Sequence, residues 1–383
     1  MSEAHSDGAD EPRGRVRLAD VARDAGVSVA TVSKVLNGRR DVAPHTREHV
    51  ERVLQTNGYL RRGGGGEPSA ERMLEIVFHE ITGEWAAEII PAVERAARDA
   101  GISLIVTECG DRHSPGSAWI EGVLRRRPIG VILVFSDLDA LEQHKLHSRG
   151  INLVVMDPAG EPGPEVASIG STNWAGGFAA AEHLIGLGHR RIAMISGPED
   201  MLCSVARVDG YRSALERAGI GFDAELLRVG DFHVEAGRER TGELMSLPQP
   251  PTAIFAGSDL QAVGVYEYAR AHGVRIPEEL SVMGYDDLQL SRWVGPPLTT
   301  IRQPLAEMAA TAARQLIAIH REPRPAGAPI SRRIELATSL VVRESTAPPR
   351  PAARVTRRAA FRPAELSRDG RCAPGRARWR SSR

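Results

Sequence analysis

The 383-residue chain lacks the features by which several classes of protein are recognised. No run approaches the roughly 20 apolar residues that a transmembrane helix needs. The first 15 residues are acidic and polar, without the apolar core of a secretion signal. Three cysteines, Cys109, Cys203 and Cys372, form no CxxC pair, which predicts free thiols in a reducing compartment. We therefore expect a cytoplasmic protein without a disulfide framework.

Signatures of catalysis are missing as well. The chain contains no GxSxG, P-loop, HExxH or complete GxGxxG motif. Its 12 histidines are scattered rather than placed at metal-ligand spacing. This pattern argues against an enzyme and predicts neither a metal nor a cofactor. A transport-type sugar-binding protein is a second alternative, but that role would require export and would leave residues 16–60 without a use.

What the chain does contain is a helix-turn-helix pattern between residues 18 and 59. Gly26 tolerates the positive φ of a tight turn, and Ser28 is placed to cap a helix over residues 29–36. A third helix is predicted from Pro44 to about Asn57. Apolar residues at helical spacing predict the first helix, at Leu18, Val21, Ala22 and Ala25. A small core is predicted from Val21, Val27, Val32, Val35, Leu36, Val50 and Val53. The second helix of such a unit enters the major groove of DNA.

Charge is distributed unevenly along a chain whose net charge is zero. Residues 13–62 hold eleven basic and five acidic residues, a local charge of +6. A local basic surface matters for phosphate contact more than the sum over the chain. Residues 347–383 hold eleven arginines and two acidic residues, a charge of +9, without apolar periodicity. We expect a disordered tail there, which either adds nonspecific DNA affinity or has no role.

From residue 73 onward, strand-like and helix-like stretches alternate. Apolar runs of strand length occur at 74–78, 102–106, 130–135, 151–156, 191–196, 252–256 and 281–285. Helical stretches occur at 85–100, 174–187, 208–218, 234–247, 259–272 and 304–320. This alternation predicts an α/β protein with two doubly wound parallel-sheet subdomains that face a cleft, behind a small all-α head. The expected domains are a disordered tail (1–15), the head (16–60), a glycine-rich linker (61–72), an effector-binding and dimerisation domain (73–346) and a basic tail (347–383).

Several motifs in order resemble one known family. LADVARDAGVSVATVSKVLNG (18–38) is similar to the N-terminal signature of the LacI-type transcriptional repressors, the LacI/GalR family. The resemblance continues through GHRRIAMISGP, ARVDGYRSAL, PTAIFAGSDLQAVG, SVMGYDD and PPLTTIRQPLAEM, over about residues 16–345. It implies a homodimeric or tetrameric regulator, most simply a repressor, that reads a palindromic DNA operator. Its body would resemble periplasmic sugar-binding proteins, and a small effector in the cleft would set operator affinity.

The resemblance also implies which residues contact DNA. These are Leu18, Ser28, Val29, Ala30, Thr31, Ser33, Lys34, Asn37 and Thr46. Val29 and Ala30 can offer only apolar contact, for example to a thymine methyl, whereas Lys34 can donate to guanine. The short polar side chains match positions that hold phosphates. Alternatively, Ser28 and Thr46 are helix caps and Lys34 is a solvated surface charge.

For the effector, the resemblance and the strand-end positions predict Glu80, Trp85, Ser136, Asp157, Arg207, Phe232, Ser258, Asp259 and Asp286. Phe232 offers an aromatic face for a sugar ring, Arg207 a fork of donors, and Asp286 a bidentate acceptor for hydroxyls. A carbohydrate is favoured over a purine because neutral polyols suit this mixed lining. Asp259 alternatively caps the helix it opens, and Asp157 alternatively belongs to a turn.

One segment departs from the family. A family member follows the head with a hinge helix that inserts a leucine into the minor groove, and here that position falls on Pro68, after four glycines at 63–66. Glycine costs about 1 kcal/mol and proline about 3 kcal/mol in a helix interior. We therefore predict that this chain lacks the leucine wedge. Pro91, within a helical run, is expected to kink its helix.

Overall fold

The computed structural model describes residues 17–36, 42–57, 72–81, 83–110, 115–135, 138–160, 166–322 and 333–350. Its first part is a three-helix head of α1 (Leu18–Asp24), α2 (Val29–Leu36) and α3 (Pro44–Thr56). Ser28 caps α2, because its hydroxyl accepts a hydrogen bond from the Thr31 amide at 3.1 Å. The predicted small core is confirmed: its residues lie in one apolar cluster or pack against it.

The first half of the body is built on a six-stranded parallel sheet. Its strands are β1 (Met73–Phe78), β2 (Ser103–Glu108), β3 (Gly130–Val134), β4 (Asn152–Met156), β5 (Ala167–Ser171) and β11 (Arg333–Leu336), in the order β11-β5-β4-β3-β1-β2. Its helices are α4 (Glu84–Asp99), α5 (Gly116–Arg126), α6 (Ala140–His147) and α11 (Leu305–Arg321). Separate apolar cores cover the two faces of the sheet.

The second half repeats this plan. Its strands are β6 (Ile192–Ser196), β7 (Leu227–Val229), β8 (Ala253–Ala256), β9 (Ser281–Asp286), β10 (Thr299–Arg302) and β12 (Ser339–Val341), in the order β12-β10-β9-β8-β6-β7. Only β12 runs antiparallel to its neighbour. The helices α7 (Asn173–Gly186), α8 (Leu202–Arg217), α9 (Val234–Met245) and α10 (Asp259–His272) cover both faces. The two predicted doubly wound sheets are confirmed.

The structure adds elements that the apolar runs do not predict. Five short strands, β5, β7, β10, β11 and β12, lie outside the predicted runs, and α5 and α6 were not expected. In α6 only Leu146 is buried, so no apolar stripe marks the helix. The predicted kink site, Pro91, lies exposed inside α4, which continues through it.

The chain crosses between the two halves three times, after β5, β10 and β11. Side-chain hydrogen bonds join the crossing segments. The Ser171 hydroxyl donates to the Gln303 side-chain oxygen at 2.6 Å, and the hydroxyls of Thr172 and Thr338 lie 3.0 Å apart. These bonds bring all three crossings together at one side of the cleft, where a hinge between the halves would lie.

The first half buries the carboxylate of Glu75, whose charge is balanced by an arginine and by hydrogen-bond donors. Glu75, on β1, is 0% exposed. It accepts hydrogen bonds from the Arg126 guanidinium at 2.6 and 2.9 Å, the Trp119 indole at 2.9 Å and the Thr107 hydroxyl at 2.8 Å. Such a charge is tolerated in a core because every partner is in place. This cluster joins β1, β2 and α5.

The cysteines and the helices of the described ranges relate to two expectations from the sequence. Cys109 and Cys203 are free thiols, as predicted; Cys372 lies outside the described ranges. None of the helices in the described ranges is both long and apolar enough to span a membrane.

Candidate functional site

A cavity of about 290 Å³ lies between the two halves of the body. The first half lines it with Phe78, His79, Glu80, Gly83, Trp85, Ala86 and Phe135, and the second half and the crossing with Pro198, Met201, Cys203, Arg207, Asp231, Phe232, His233, Ser258, Leu260, Asp286, Leu288 and Gln303. We call this cavity the cleft. Six of the nine predicted effector residues line it: Glu80, Trp85, Arg207, Phe232, Ser258 and Asp286.

Aromatic side chains enter the cleft from both halves. In the first half, the rings of Trp85 and Phe135 are in contact, with centroids 4.5 Å apart. In the second half, Phe232 lies beside Arg207, whose Cζ is 5.4 Å from the centroid of the Phe232 ring. Phe135 and Phe232 have φ of 53° and 72°, a region that costs a non-glycine residue free energy. The cleft therefore presents apolar faces held in place by strained backbone.

Arg207 forms the charged floor of the cleft and is only 3% exposed. Its Nε donates to Asn173 Oδ1 at 2.9 Å and its Nη1 to the Gly257 carbonyl at 2.6 Å. The guanidinium also lies 3.7 Å from the centroid of the Tyr285 ring. The remaining Nη2 is 4.0 Å from Asp286 Oδ1, too far for a hydrogen bond. Donor capacity thus remains on the side that faces Asp286.

Asp286 supplies the opposing acceptor. Burial raises its pKa to about 6, while the charge of Arg207 acts in the opposite direction. Its Oδ1 accepts a hydrogen bond from the Gln303 side-chain amide at 2.6 Å, and Gln303 in turn accepts from Ser171 at the crossing. Asp286 has φ of 116°. A ligand hydroxyl bound here would contact a chain of hydrogen bonds that ends at the crossing segments.

The expectation for Asp259 is wrong, because its side chain points away from the cleft. It is 0% exposed and accepts hydrogen bonds from the Thr300 hydroxyl at 2.6 Å and the Leu288 amide at 2.8 Å. Burial raises the pKa of this carboxyl well above its usual range. The α10 cap is Ser258, whose hydroxyl accepts from the Gln261 amide and donates to the Phe232 carbonyl. Ser258 therefore positions Phe232 rather than offering its proton to a ligand.

Asp157 lies in the wall beside the cleft and does not line it. It faces a neighbouring cavity of about 350 Å³ that shares Cys203 with the cleft. The carboxyl is 3% exposed, and its Oδ2 has no hydrogen-bond partner among the described residues. Burial raises its pKa to about 7, partly offset by Arg207. Asp157 therefore does not line the cleft as expected, whereas its bend before Pro158 and its φ of 46° agree with the alternative that it belongs to a turn.

At the mouth of the cleft, Glu80 reaches across to the other half. Its Oε2 lies 3.8 Å from Nε2 of His233. A second contact between the halves runs from the Leu290 amide to Glu84 Oε2 at 3.3 Å. Ser136, the remaining predicted effector residue, lies outside the described ranges.

The head presents its predicted reading positions to solvent. Ser28, Val29, Ala30 and Lys34 are exposed, whereas Thr31, Ser33 and Thr46 are half-buried. Leu18 is half-buried as well and packs against the head core, so packing accounts for this apolar residue without DNA. Asn37, Pro68 and the glycines at 63–66 lie outside the described ranges, and the missing leucine wedge stays a prediction.

Three contributors to the site were not singled out in the sequence. Gln303 holds Asp286, Phe135 extends the aromatic wall, and Asn173 accepts from Arg207. The only available signal for Gln303 was its place directly after β10, where a strand end meets the cleft. Phe135 follows β3 in the same way. Asn173 is the first residue of α7 and had no signal of its own.

Comparison with known proteins identifies this architecture. Residues 17–62 match the model of bacterial regulatory proteins of the lacI family, and residues 181–346 match a periplasmic binding protein-like domain. The regulator CelR of Thermobifida fusca is 34% identical over 345 residues, covering 88% of this chain and 99% of CelR. The chain belongs to the LacI family of bacterial regulatory proteins. The repressor CytR of Escherichia coli K12 is 34% identical over 295 residues, 76% of this chain and 86% of CytR.

Solved structures agree with this membership. A CelR–cellobiose complex is 32% identical and covers 86% of this chain and all of that one, with a TM-score of 0.63. A lac repressor dimer bound to operator and an anti-inducer is 26% identical and covers 87% of this chain and all of that one, with a TM-score of 0.62. This LacI-family protein is a DNA-binding transcriptional regulator with a small-molecule effector. Its relatives are regulators rather than enzymes, in agreement with the sequence-based expectation.

Proposed function

We propose that this regulator is a cytoplasmic repressor that binds a palindromic operator as a homodimer, and that a saccharide of one or two rings in the cleft controls its operator affinity. One observation supports a saccharide as the class of effector. Aromatic side chains from both halves flank a floor on which the Arg207 guanidinium and the Asp286 carboxyl lie 4.0 Å apart. We retain the domain boundaries stated from the sequence as part of this proposal.

The lining of the cleft supports a polyol. A sugar ring has apolar C–H faces that pack on aromatic rings, and Trp85, Phe135 and Phe232 provide such surfaces. Its hydroxyls both donate and accept, which matches an acceptor at Asp286 beside a donor at Arg207. A volume of about 290 Å³ lies just below the roughly 300–1,000 Å³ of small-molecule sites. The cellobiose bound by the related CelR is a ligand of this kind.

The operator proposal rests on the head. Val29 and Ala30 offer apolar contact to thymine methyls, and Lys34 is exposed one helical turn further along α2. Ser28, Thr31, Ser33 and Thr46 are proposed phosphate contacts. Two heads would read half-sites about one helical turn apart.

The test begins with duplexes selected by the full chain from a random pool. Operator binding is then titrated by fluorescence anisotropy against mono- and disaccharides, including cellobiose, with purine nucleosides as the competing class. We expect at least one saccharide to change operator affinity by about 5- to 150-fold, the usual range of allosteric coupling. The saccharide proposal fails if only a purine acts, or if no compound acts while specific DNA binding persists.

A pair of variants assigns the effect to the cleft. Asp286→Asn removes the anionic acceptor and should abolish the saccharide response while operator affinity is retained. Asp209→Asn removes an exposed carboxyl on α8 and should respond like the wild type. If both variants respond normally, the saccharide binds elsewhere.

A further inference from the structure

The head touches the body at the C-terminal end of α6. The Ser148 hydroxyl, directly after the helix, lies 3.3 Å from the Leu36 carbonyl and 3.1 Å from the Lys145 carbonyl, so its one proton is shared. Nε2 of His144 meets the head as well, 3.4 Å from Glu51 Oε1 on α3. Both partners of that pair are partly shielded, with side chains 40% and 28% exposed. The contact is therefore polar and weak, as suits a reversible interface.

The docked side of the head is not its reading side. The contact uses Leu36, the last residue of α2, and Glu51 in the middle of α3. Val29, Ala30 and Lys34 remain exposed in the docked head. Docking on α6 and insertion of α2 into a major groove are thus compatible.

The docking surface lies on the helix that follows β3 in the chain, and the residue directly after β3 lines the cleft. Phe135 lines the cleft and contacts Trp85. Three positions later, Leu138 is buried in the core, and Asp139 caps α6 by accepting from the Glu142 amide at 2.7 Å. Leu138 and Asp139 therefore fix the start of α6 to the core of the first half, a few positions along the chain from Phe135.

The sequence between head and body offers little for side-chain coupling. Residues 63–66 are four glycines, so no side chains are present there to relay a contact. An interface on α6 would supply a connection that does not depend on these residues. In the family arrangement that the sequence departs from, a helix occupies this place.

We propose that the C-terminal end of α6, through His144 and Ser148, is a docking surface for the head of the same chain, and that docking holds α2 in an orientation that favours operator binding. The proposal rests on the DNA-binding function proposed above. A head that is already oriented loses less freedom on binding DNA, which raises affinity without a new DNA contact.

Charge reversal tests the contact. His144→Glu places like charges opposite each other at Glu51, and adding Glu51→Lys restores an opposite pair. The matched control is His147→Glu, which adds the same charge at an exposed position on α6. Operator affinity by anisotropy and hydrogen exchange of the α2, α3 and α6 amides are measured on full-length protein for the wild type and each variant. Glu51→Lys alone completes the double-mutant cycle.

We expect His144→Glu to weaken operator binding about fivefold relative to His147→Glu, and to speed exchange in the head. The double variant should recover most of both losses. Phe135→Ala, which removes the ring contact with Trp85, should also speed exchange in α6 and α3. The proposal is overturned if the His144 and His147 variants behave alike, if the cycle shows no coupling, or if His144→Glu strengthens operator binding. If neither the wild type nor any variant binds operator DNA, the proposed DNA-binding function fails. Hydrogen exchange in the head and in α6 still tests whether the head docks.

Discussion

Replacing Asp157 by asparagine should stabilise the protein at alkaline pH. The carboxyl is buried beside the cleft, with one oxygen that has no hydrogen-bond partner among the described residues. Burial raises its pKa from the ordinary 3.8 to about 7. That change corresponds to about 4 kcal/mol, since each pKa unit is about 1.4 kcal/mol of difference between the protonation states. The ionised carboxylate therefore destabilises the folded state.

The direction with pH follows from linkage. Between pH 4 and 7 the folded protein holds a proton at Asp157 that the unfolded chain has lost, so stability falls as pH rises through this window. Above about pH 7 the destabilisation is complete. The side chain introduced by Asp157→Asn would be neutral at every pH, although its amide would cost about 1 kcal/mol or more if it found no acceptor. The gain of the variant over the wild type should therefore grow by about 2–3 kcal/mol from pH 5 to 8.5.

The assay is denaturant unfolding of the ligand-free protein at both pH values, followed by tryptophan fluorescence. Asp209→Asn, on an exposed carboxyl, is the control and should show no such growth. An equal difference between Asp157→Asn and wild type at the two pH values would refute the electrostatic reasoning. A variant that is less stable than wild type at pH 8.5 would show that the lost attraction to Arg207 outweighs burial.

Three further outcomes are expected. Lys34→Ala should cost about 1–3 kcal/mol of discrimination between operator sequences if Lys34 reads a guanine, as measured by competition with mutated duplexes. Arg126→Leu should lower the free energy of unfolding by about 2–3 kcal/mol, below the 3–5 of a fully buried pair, because Arg126 is 36% exposed and Glu75 keeps other donors. Gly284→Ala should lower the free energy of unfolding by about 1–3 kcal/mol, and with it the melting temperature, since a Cβ there would lie 2.2 Å from Asp259 Oδ1.

Each of these three predictions has a control variant or an outcome that would contradict it. An equal loss of affinity for every duplex would assign Lys34 to phosphate contact instead of base reading. Arg125→Leu removes the neighbouring arginine, whose side chain is exposed, and equal destabilisation would contradict the role of the buried pair. Gly221→Ala, where a Cβ meets nothing within 4 Å, should leave thermal stability near that of the wild type.

The head could be predicted from sequence because its signals are local. Gly26, the Ser28 cap and apolar spacing within each helix lie a few residues apart, and together they determine the helix ends to within about a residue. The parallel sheets were also predictable, since their central strands are continuous apolar runs. Short edge strands such as β7 and β12 carry too few buried residues to be recognised.

The cleft was predictable only in part. The strand-end rule selected Phe232 and Asp286, which line the cleft, but it also selected Asp157 and Asp259, which do not. All of these lie at or shortly after strand ends, and only the packed structure decides which side chain faces the cleft. The Asp259 side chain packs against Gly284 and accepts a hydrogen bond from Thr300. These contacts join segments that are distant in sequence, so local sequence patterns do not reveal them. The three crossings, and therefore the role of Gln303, are equally non-local.

Backbone strain points to the same site without reference to any relative. Among the described residues, six non-glycine residues have φ between 46° and 116°. One is Arg127, and the other five are Phe135, Asp157, Phe232, Asp286 and Asp287. Each costs of order 1–3 kcal/mol. Phe135, Phe232 and Asp286 line the cleft, Asp157 lies in its wall, and Asp287 directly follows Asp286. A sequence selected for stability alone would discard this combination. Because the surrounding core holds these residues in place before any ligand arrives, a ligand bound there would lose little free energy to reorganising them. The strain therefore favours a preformed binding site over a surface that folds around its ligand.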